Sequence, residues 1–268
     1  MKDILLKFLL LVKAEFKREI LFLRRYPMEV ISFLFFMYVI LMAIILGISQ
    51  LSEQGNLNID QNRMIIGYCL MQFVMSSQMG WSGQISNESQ TGTLEQLSIS
   101  GHRLGTVLFA RGLSQFPRQV MSFFLLMSAY LFSMPNLTLS LEKFYVVIAM
   151  LLCIALGVYG VAYVFAGLTL LFKRVGSFFQ IINFGFLGLF WQDRSSLDDS
   201  SLSAIFYDAF PLTLGMKNLN TIFGVDDYSL LFLFANQLFY SIIFGFSGYF
   251  AFTLMERKAR KMALLSQY

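Results

Sequence analysis

Long apolar runs separated by shorter polar segments dominate the chain. A helix needs about 20 residues to cross a hydrocarbon core about 30 Å thick, and the chain has six windows near that length. These windows cover residues 28–49, 64–83, 104–134, 144–172, 175–191 and 228–255. No segment shows the alternating pattern of a membrane-spanning strand. The pattern therefore predicts an all-α integral membrane protein with six transmembrane helices.

The segments outside these windows differ in character. Residues 1–27 combine helical apolar periodicity with many Lys and Arg residues, which predicts an amphipathic helix lying in the membrane interface. Residues 84–103 form a polar, helix-prone interruption with some apolar positions on one side. Residues 192–227 link the fifth window to the sixth, and residues 256–268 form a polar tail.

Composition and charge predict how the chain is oriented. The chain is 57% hydrophobic and 13% charged, whereas soluble domains have about 25% charged residues. With the N terminus inside, sixteen of the 20 Lys and Arg residues fall on cytoplasmic segments, as the positive-inside rule requires. We therefore expect a multi-pass protein of the cell membrane, inner or plasma, with both termini and residues 84–103 in the cytoplasm. Its basic segments would contact membrane lipids, and no nucleic-acid partner is expected.

A specific motif lies in the polar interruption between the second and third windows. It reads Glu-x-x-x-Gly-Thr-Leu-Glu-x-Leu and consists of Glu88, Gly92, Thr93, Leu94, Glu95 and Leu97. Together with the N-terminal amphipathic helix, the six windows and a proline-containing link before the last one, this motif resembles the permeases of type-2 ABC exporters. One departure is that a proline often follows the motif in that family, whereas this chain has Ser98 to Gly101.

The resemblance covers nearly the whole chain and has several implications. It implies that residues 84–103 form a cytoplasmic coupling helix, with the six motif residues contacting an ATPase subunit. It also implies that residues 192–227 form short re-entrant helices on the extracytoplasmic side. Two ABC ATPase subunits and a second permease chain, identical or paralogous, would be the protein partners.

The chain has no sequence of the type G-x-x-x-x-G-K-[ST], whose backbone cradles nucleotide phosphates. We therefore expect no catalytic residues and no cofactor in this chain, with ATP and Mg²⁺ bound by the partner ATPase. The two cysteines, Cys69 and Cys153, lie in predicted spans and are typical of small apolar core residues. No metal site is expected.

The predicted spans contain few ionisable side chains at membrane depth, although proton- or sodium-driven carriers usually need them. The resemblance implies that the second and fifth spans line the substrate path. An uncharged lining of amides and aromatic rings favours an amphipathic molecule such as a drug, a peptide or a lipid-like compound. Seven candidate path residues follow: Gln72, Phe73, Ser76, Phe179, Gln180, Asn183 and Phe184.

Other functions fit parts of the pattern. A polysaccharide or glycoconjugate exporter of the same superfamily would also begin with an amphipathic helix. A secondary transporter would need intramembrane charges or an inverted repeat, and the two halves of the chain show no evident similarity. A membrane scaffold without transport activity is the third alternative.

The third window carries charge on one helix face. Arg111, Gln115 and Arg118 recur at i, i+4 and i+7, and a charged face toward lipid would be costly. Arg111 and Arg118 therefore predict a basic face at the inner leaflet, turned into the bundle or toward the cytoplasm. Glu29 is the expected partner of Arg111. Pairs of glycines three residues apart predict close helix packing: Gly157 and Gly160, Gly185 and Gly188, and Gly245 and Gly248.

Overall fold

The computed structural model describes residues 2–53, 61–99, 103–133, 141–172, 175–191, 202–224 and 229–262. These residues form helices joined by turns, with no strand among them, which confirms the all-α class. The helices are α1 (Lys2–Arg25), α2 (Pro27–Glu53), α3 (Gln61–Gln90), α4 (Thr93–Ile99), α5 (Leu104–Ser133), α6 (Leu141–Leu171), α7 (Gly176–Trp191), α8 (Leu202–Ala209), α9 (Pro211–Gly224) and α10 (Leu230–Lys261).

Three of these helices contain segments that are long and apolar enough to cross a membrane. The segments are Pro27–Gly47 in α2, Phe144–Leu171 in α6 and Leu230–Lys261 in α10. Helices α3 and α5 correspond to the second and third predicted spans but are richer in polar side chains, and α7 has only 16 residues. The protein is thus a membrane protein, and a total of six spans stays a prediction.

Helix α6 forms the centre of the bundle and packs mainly against α10 and α3. Its contact with α10 is close because glycines face each other. A Cβ atom placed on Gly248 would lie 2.0 Å from the carbonyl oxygen of Gly160, and one placed on Gly160 would lie 2.2 Å from the carbonyl oxygen of Phe244. The predicted role of these two glycines in close helix approach is therefore confirmed.

The other predicted glycine pairs differ in their surroundings. A Cβ atom on Gly157 would lie 2.5 Å from Pro211 Cβ, and one on Gly245 would lie 3.2 Å from the Leu156 carbonyl oxygen. Gly185 and Gly188 have no heavy atom within 4 Å of such a Cβ. The prediction of close packing is therefore wrong for this α7 pair within the described structure.

The two short helices before α10 lie against the core of the bundle. Pro211 occupies the first position of α9, where a missing backbone N–H costs nothing. In α10, Gln237 is buried, donates to the Pro211 carbonyl oxygen at 3.0 Å and accepts from Asn218 Nδ2 at 3.1 Å. Short helices were expected in residues 192–227, and their re-entry into the membrane stays a prediction.

Helix α1 lies against α5 with an unusual distribution of side chains. Its buried side includes Glu15 and Glu19. Its leucines at 5, 6, 9 and 10 are each more than half exposed. The side of α1 that carries these four leucines is therefore turned away from the bundle, where a membrane interface would cover it, whereas Phe8 stacks against Phe109 of α5.

Candidate functional site

The predicted coupling segment forms a corner between α3 and α4. Helix α3 continues to Gln90, so the first seven residues of the predicted segment 84–103 belong to α3. Gly92 then adopts a left-handed conformation with φ of 70°. Thr91 donates from Oγ1 to the Asn87 carbonyl oxygen at 2.9 Å. Gly92 therefore allows the backbone to change direction between α3 and α4.

The motif residues after this corner have different environments. Leu94 is 2% exposed and packs in the hydrophobic core, and Leu97 is partly buried against it. Thr93 is exposed and lies close to Thr91. The side chain of Glu95 lies outside the described part of the structure. Leu94 therefore attaches α4 to the bundle of its own chain.

The first residue of the motif forms an ion pair inside the chain. Arg111 of α5 is 3% exposed, and its Nη2 donates to Glu88 Oε1 at 2.5 Å. Its Nε donates to Glu15 Oε1 of α1 at 3.2 Å. One guanidinium group therefore joins three helices: α1, the end of α3 and α5.

Further ionic contacts extend this junction along α1. Arg18 lies 3.2 Å from Glu15 Oε2 and donates to Gln84 Oε1 of α3 at 3.1 Å. Arg118 of α5 pairs with Glu19 at 2.5 Å. We refer to the whole set as the ion-pair cluster, which consists of Glu15, Arg18, Glu19, Gln84, Glu88, Arg111 and Arg118.

Charges in the ion-pair cluster are balanced, but its polar atoms are not all satisfied. Burial and then the neighbouring Arg111 lower the pKa of Arg18, while Glu15 and Glu88 raise it. Arginine is not deprotonated in proteins, so Arg18 remains a cation. Among the described residues, Arg111 Nη1 and Glu88 Oε2 have no hydrogen-bond partner. The cluster is therefore costly to bury and depends on all of its charged members.

The cluster bears on two expectations from the sequence. Arg111 is buried and Arg118 pairs with Glu19 of α1, and a basic face at the inner leaflet stays a prediction. The predicted pairing of Arg111 with Glu29 is wrong, because α1 rather than α2 covers this part of α5. The sequence signal for the true partners was a pair of carboxylates, Glu15 and Glu19, four residues apart on the same face of α1 as Phe8, which packs against α5.

The corner allows a direct test of the motif glycine. A residue with a Cβ pays about 1–2 kcal/mol in the left-handed region, so we expect Gly92→Ala to lower the stability of the corner by about that amount. Gly92→Asn is the matched control, because asparagine tolerates this conformation better. Thermal unfolding of the purified protein measures the difference. Equal unfolding midpoints for the two variants would contradict the role assigned to Gly92.

Four of the seven predicted path residues border two separate clefts in the single chain. The α3–α7 cleft has a volume of about 440 Å³ and is bordered by Phe179 and Gln180. The α2–α3 cleft has a volume of about 350 Å³ and is bordered by Gln72 and Ser76. Met79 borders both clefts.

The remaining path residues do not border these two clefts. Phe73 and Asn183 are buried, and neither amide atom of Asn183 has a hydrogen-bond partner in the described structure. Phe184 is 71% exposed on α7. Within the described residues, the seven are therefore divided between two clefts and positions outside both.

Comparisons with known proteins identify one family. A family model described as ABC-2 type transporter matches residues 10–223. The matched range includes the ion-pair cluster, the corner between α3 and α4, and all predicted path residues. Comparisons with curated proteins and with solved structures find no match.

Proposed function

Because the chain belongs to the ABC-2 type transporter family, we propose that it is the permease of an exporter driven by ATP hydrolysis in separate subunits. The coarser assignment, a membrane subunit of an ABC transporter, follows from the family itself. The complete exporter would contain two ATPase subunits and a second permease chain, identical or paralogous. This chain would supply the membrane path and no catalytic residue.

The observation that carries the proposal is the connection between the motif and the ion-pair cluster. Glu88 begins the motif and is bound to Arg111, which also binds Glu15 of α1. Separating a buried pair by removing one partner costs about 3–5 kcal/mol. A force applied to α4 would therefore move α1, the end of α3 and α5 together.

The location of the corner supports contact with an ATPase on the cytoplasmic side. Helix α4 follows directly from the end of α3, and Leu94 anchors it to the core. The predicted topology puts this end of the bundle in the cytoplasm. We propose that Glu95 provides a polar contact with the ATPase, while Leu94 transmits its movement to the bundle.

The substrate we propose is an amphipathic molecule, such as a drug, a peptide or a lipid-like compound. Both clefts are bordered by a mixture of apolar and polar side chains, which are uncharged in the α3–α7 cleft and include Glu29 and Arg118 in the α2–α3 cleft. Small-molecule sites have this composition, with a few polar groups fixing the orientation of an apolar body. Transport would run out of the cytoplasm or the inner leaflet, across the cell membrane.

Changing Glu95 tests this function. We expect Glu95→Ala to lower recovery of an ATPase subunit with the affinity-purified full chain, and to lower transport-linked ATP hydrolysis by about tenfold, equivalent to about 1.4 kcal/mol. Gln96→Ala is the matched control, since Gln96 is an exposed neighbour on the same helix. Both variants should reach the membrane in equal amounts.

The proposed coupling role also predicts the effect of a deletion. Removing residues 87–97 should leave a permease in the membrane that no longer stimulates the ATPase. Normal substrate-stimulated ATP hydrolysis in the Glu95→Ala variant and in this deletion would overturn the proposed function.

A further inference from the structure

The α2–α3 cleft lies between the end of α1, the first turns of α2, the middle of α3 and the middle of α5. Its volume of about 350 Å³ is within the range of small-molecule sites, about 300–1,000 Å³. The coupling corner between α3 and α4 does not border it. Its chemistry can therefore be considered separately from the ATPase contact.

The walls of this cleft are mainly apolar and adaptable. Methionines are unbranched and polarisable, so they fit apolar bodies of different shape. Aromatic rings can also attract a cation at their faces. The apolar residues that border the cleft are Phe22, Val30, Phe33, Met37, Met75 and Met79.

The charges at the cleft leave an excess of negative charge. Glu29 and Arg118 both border it. Arg118 is already paired with Glu19 at 2.5 Å. Glu29 is exposed, and its side chain has no ion pair or hydrogen bond within the described structure. The uncompensated group at the cleft is therefore a carboxylate.

A buried polar group beside the cleft also lacks a partner. Gln72 is 3% exposed and borders the cleft, and its Nε2 has no hydrogen-bond partner among the described residues. Ser76 borders the cleft one helical turn further on and donates to the Phe73 carbonyl oxygen at 2.9 Å. Buried polar groups are rarely left unpaired, so the amide is a donor available to a ligand.

We propose that the α2–α3 cleft binds an amphipathic organic cation. Glu29 is its counter-ion, the phenylalanine and methionine side chains enclose its apolar body, and Gln72 donates to an acceptor on the ligand where one is present. The inference rests on the proposed function, because the bound cation is the transported substrate or an analogue of it. Binding itself needs no ATPase subunit.

Two probes of nearly equal shape test the sign of the charge. The full chain in lipid nanodiscs should bind tetraphenylphosphonium saturably, after subtraction of binding to empty nanodiscs. Tetraphenylborate should not compete. Glu29→Gln should weaken binding of the cation by about tenfold or more, which corresponds to about 1.4 kcal/mol or more, and Glu29→Asp should retain most of it.

Further variants separate the cleft from effects elsewhere. Met75→Trp should block binding by filling the cleft. Glu256→Gln should leave binding unchanged, because Glu256 pairs with Arg260 in α10 and does not border the cleft. Glu29 is also in the first turn of α2, where a carboxylate stabilises the helix. Thermal unfolding of each variant therefore accompanies the binding measurement.

Three results would overturn the cation site. One is equal tetraphenylphosphonium binding by the native chain and Glu29→Gln, with only the unfolding midpoint lowered. Another is efficient competition by tetraphenylborate. The third is disulfide cross-linking of two chains through Met75→Cys, which would show that a second copy covers the cleft. None of these would affect the Glu95 test, so failure of this site is distinguishable from failure of the proposed function.

Discussion

Arg111→Met will destabilise the protein by about 3–5 kcal/mol and will abolish the stimulation of the ATPase by substrate. Arg111 is buried and pairs with both Glu15 and Glu88. The substitution leaves Glu88 without its cation and Glu15 with only the partly exposed Arg18, and an uncompensated buried charge accounts for a loss of this size. Thermal unfolding and ATP hydrolysis of the complete transporter measure the two effects.

A triple variant separates folding from coupling. Adding Glu15→Gln and Glu88→Gln to Arg111→Met removes the unpaired charges, so most of the stability should return. The contact between the motif and α1 is still absent, so the ATPase stimulation should not return. If stability and stimulation return together, the ion-pair cluster has only a structural role.

Arg118→Met is the matched control for the single variant. Arg118 has a 24% exposed side chain and pairs with one carboxylate, Glu19, among the described residues. Its loss should therefore cost less than the loss of Arg111, because water screens a partly exposed pair. A larger loss of stability for Arg118→Met than for Arg111→Met would contradict the central role of Arg111.

Gly248→Ala will force α6 and α10 apart and lower the stability by at least about 1–3 kcal/mol, the usual cost of overpacking. The added Cβ would lie 2.0 Å from the carbonyl oxygen of Gly160. That oxygen belongs to the backbone of a helix, so no flexible side chain can move to relieve the contact. Fluorescence-detected size-exclusion chromatography after heating measures the effect.

Other glycines provide a graded control series. Gly245→Ala places its Cβ 3.2 Å from the Leu156 carbonyl oxygen, so a milder effect is expected. Gly185→Ala meets no heavy atom within 4 Å and should leave the midpoint unchanged or slightly raised. A midpoint for Gly248→Ala equal to that of Gly185→Ala would disprove close packing between α6 and α10.

The helices could be predicted from sequence because length and apolar composition are local properties. The predicted windows at 28–49, 104–134 and 175–191 differ from α2, α5 and α7 by only a few residues. Larger differences occur where a helix continues beyond the apolar window. Helix α3 extends to Gln90 and α10 to Lys261, because polar residues remain good helix formers outside the hydrocarbon.

The partners across the fold were less predictable. The basic face of α5 was recognisable from spacing alone, but its partners depend on which helix covers it. Glu29 lies at the cytoplasmic start of the first predicted span, whereas Glu15 and Glu19 approach α5 from a helix nearly one hundred residues earlier. Sequence periodicity does not determine such a docking arrangement.

The path residues illustrate a second limit. Polar and apolar residues occur on several sides of α3. Its sequence therefore does not determine which side of the helix packs in the core and which side borders a cleft. Gln72 and Ser76 consequently border one cleft, while Phe179 and Gln180 on α7 border the other. A path formed between two permease chains would depend on surfaces that a single sequence does not identify.

The ion pairs between α1 and α5 also have a consequence for biosynthesis. Glu15 and Arg111 are 96 residues apart, and Glu19 and Arg118 are 99 residues apart. At about 5–20 residues per second, the ribosome makes the two carboxylates about 5–20 s before their cations. Helix α1 can therefore take its final place only after α5 has been made.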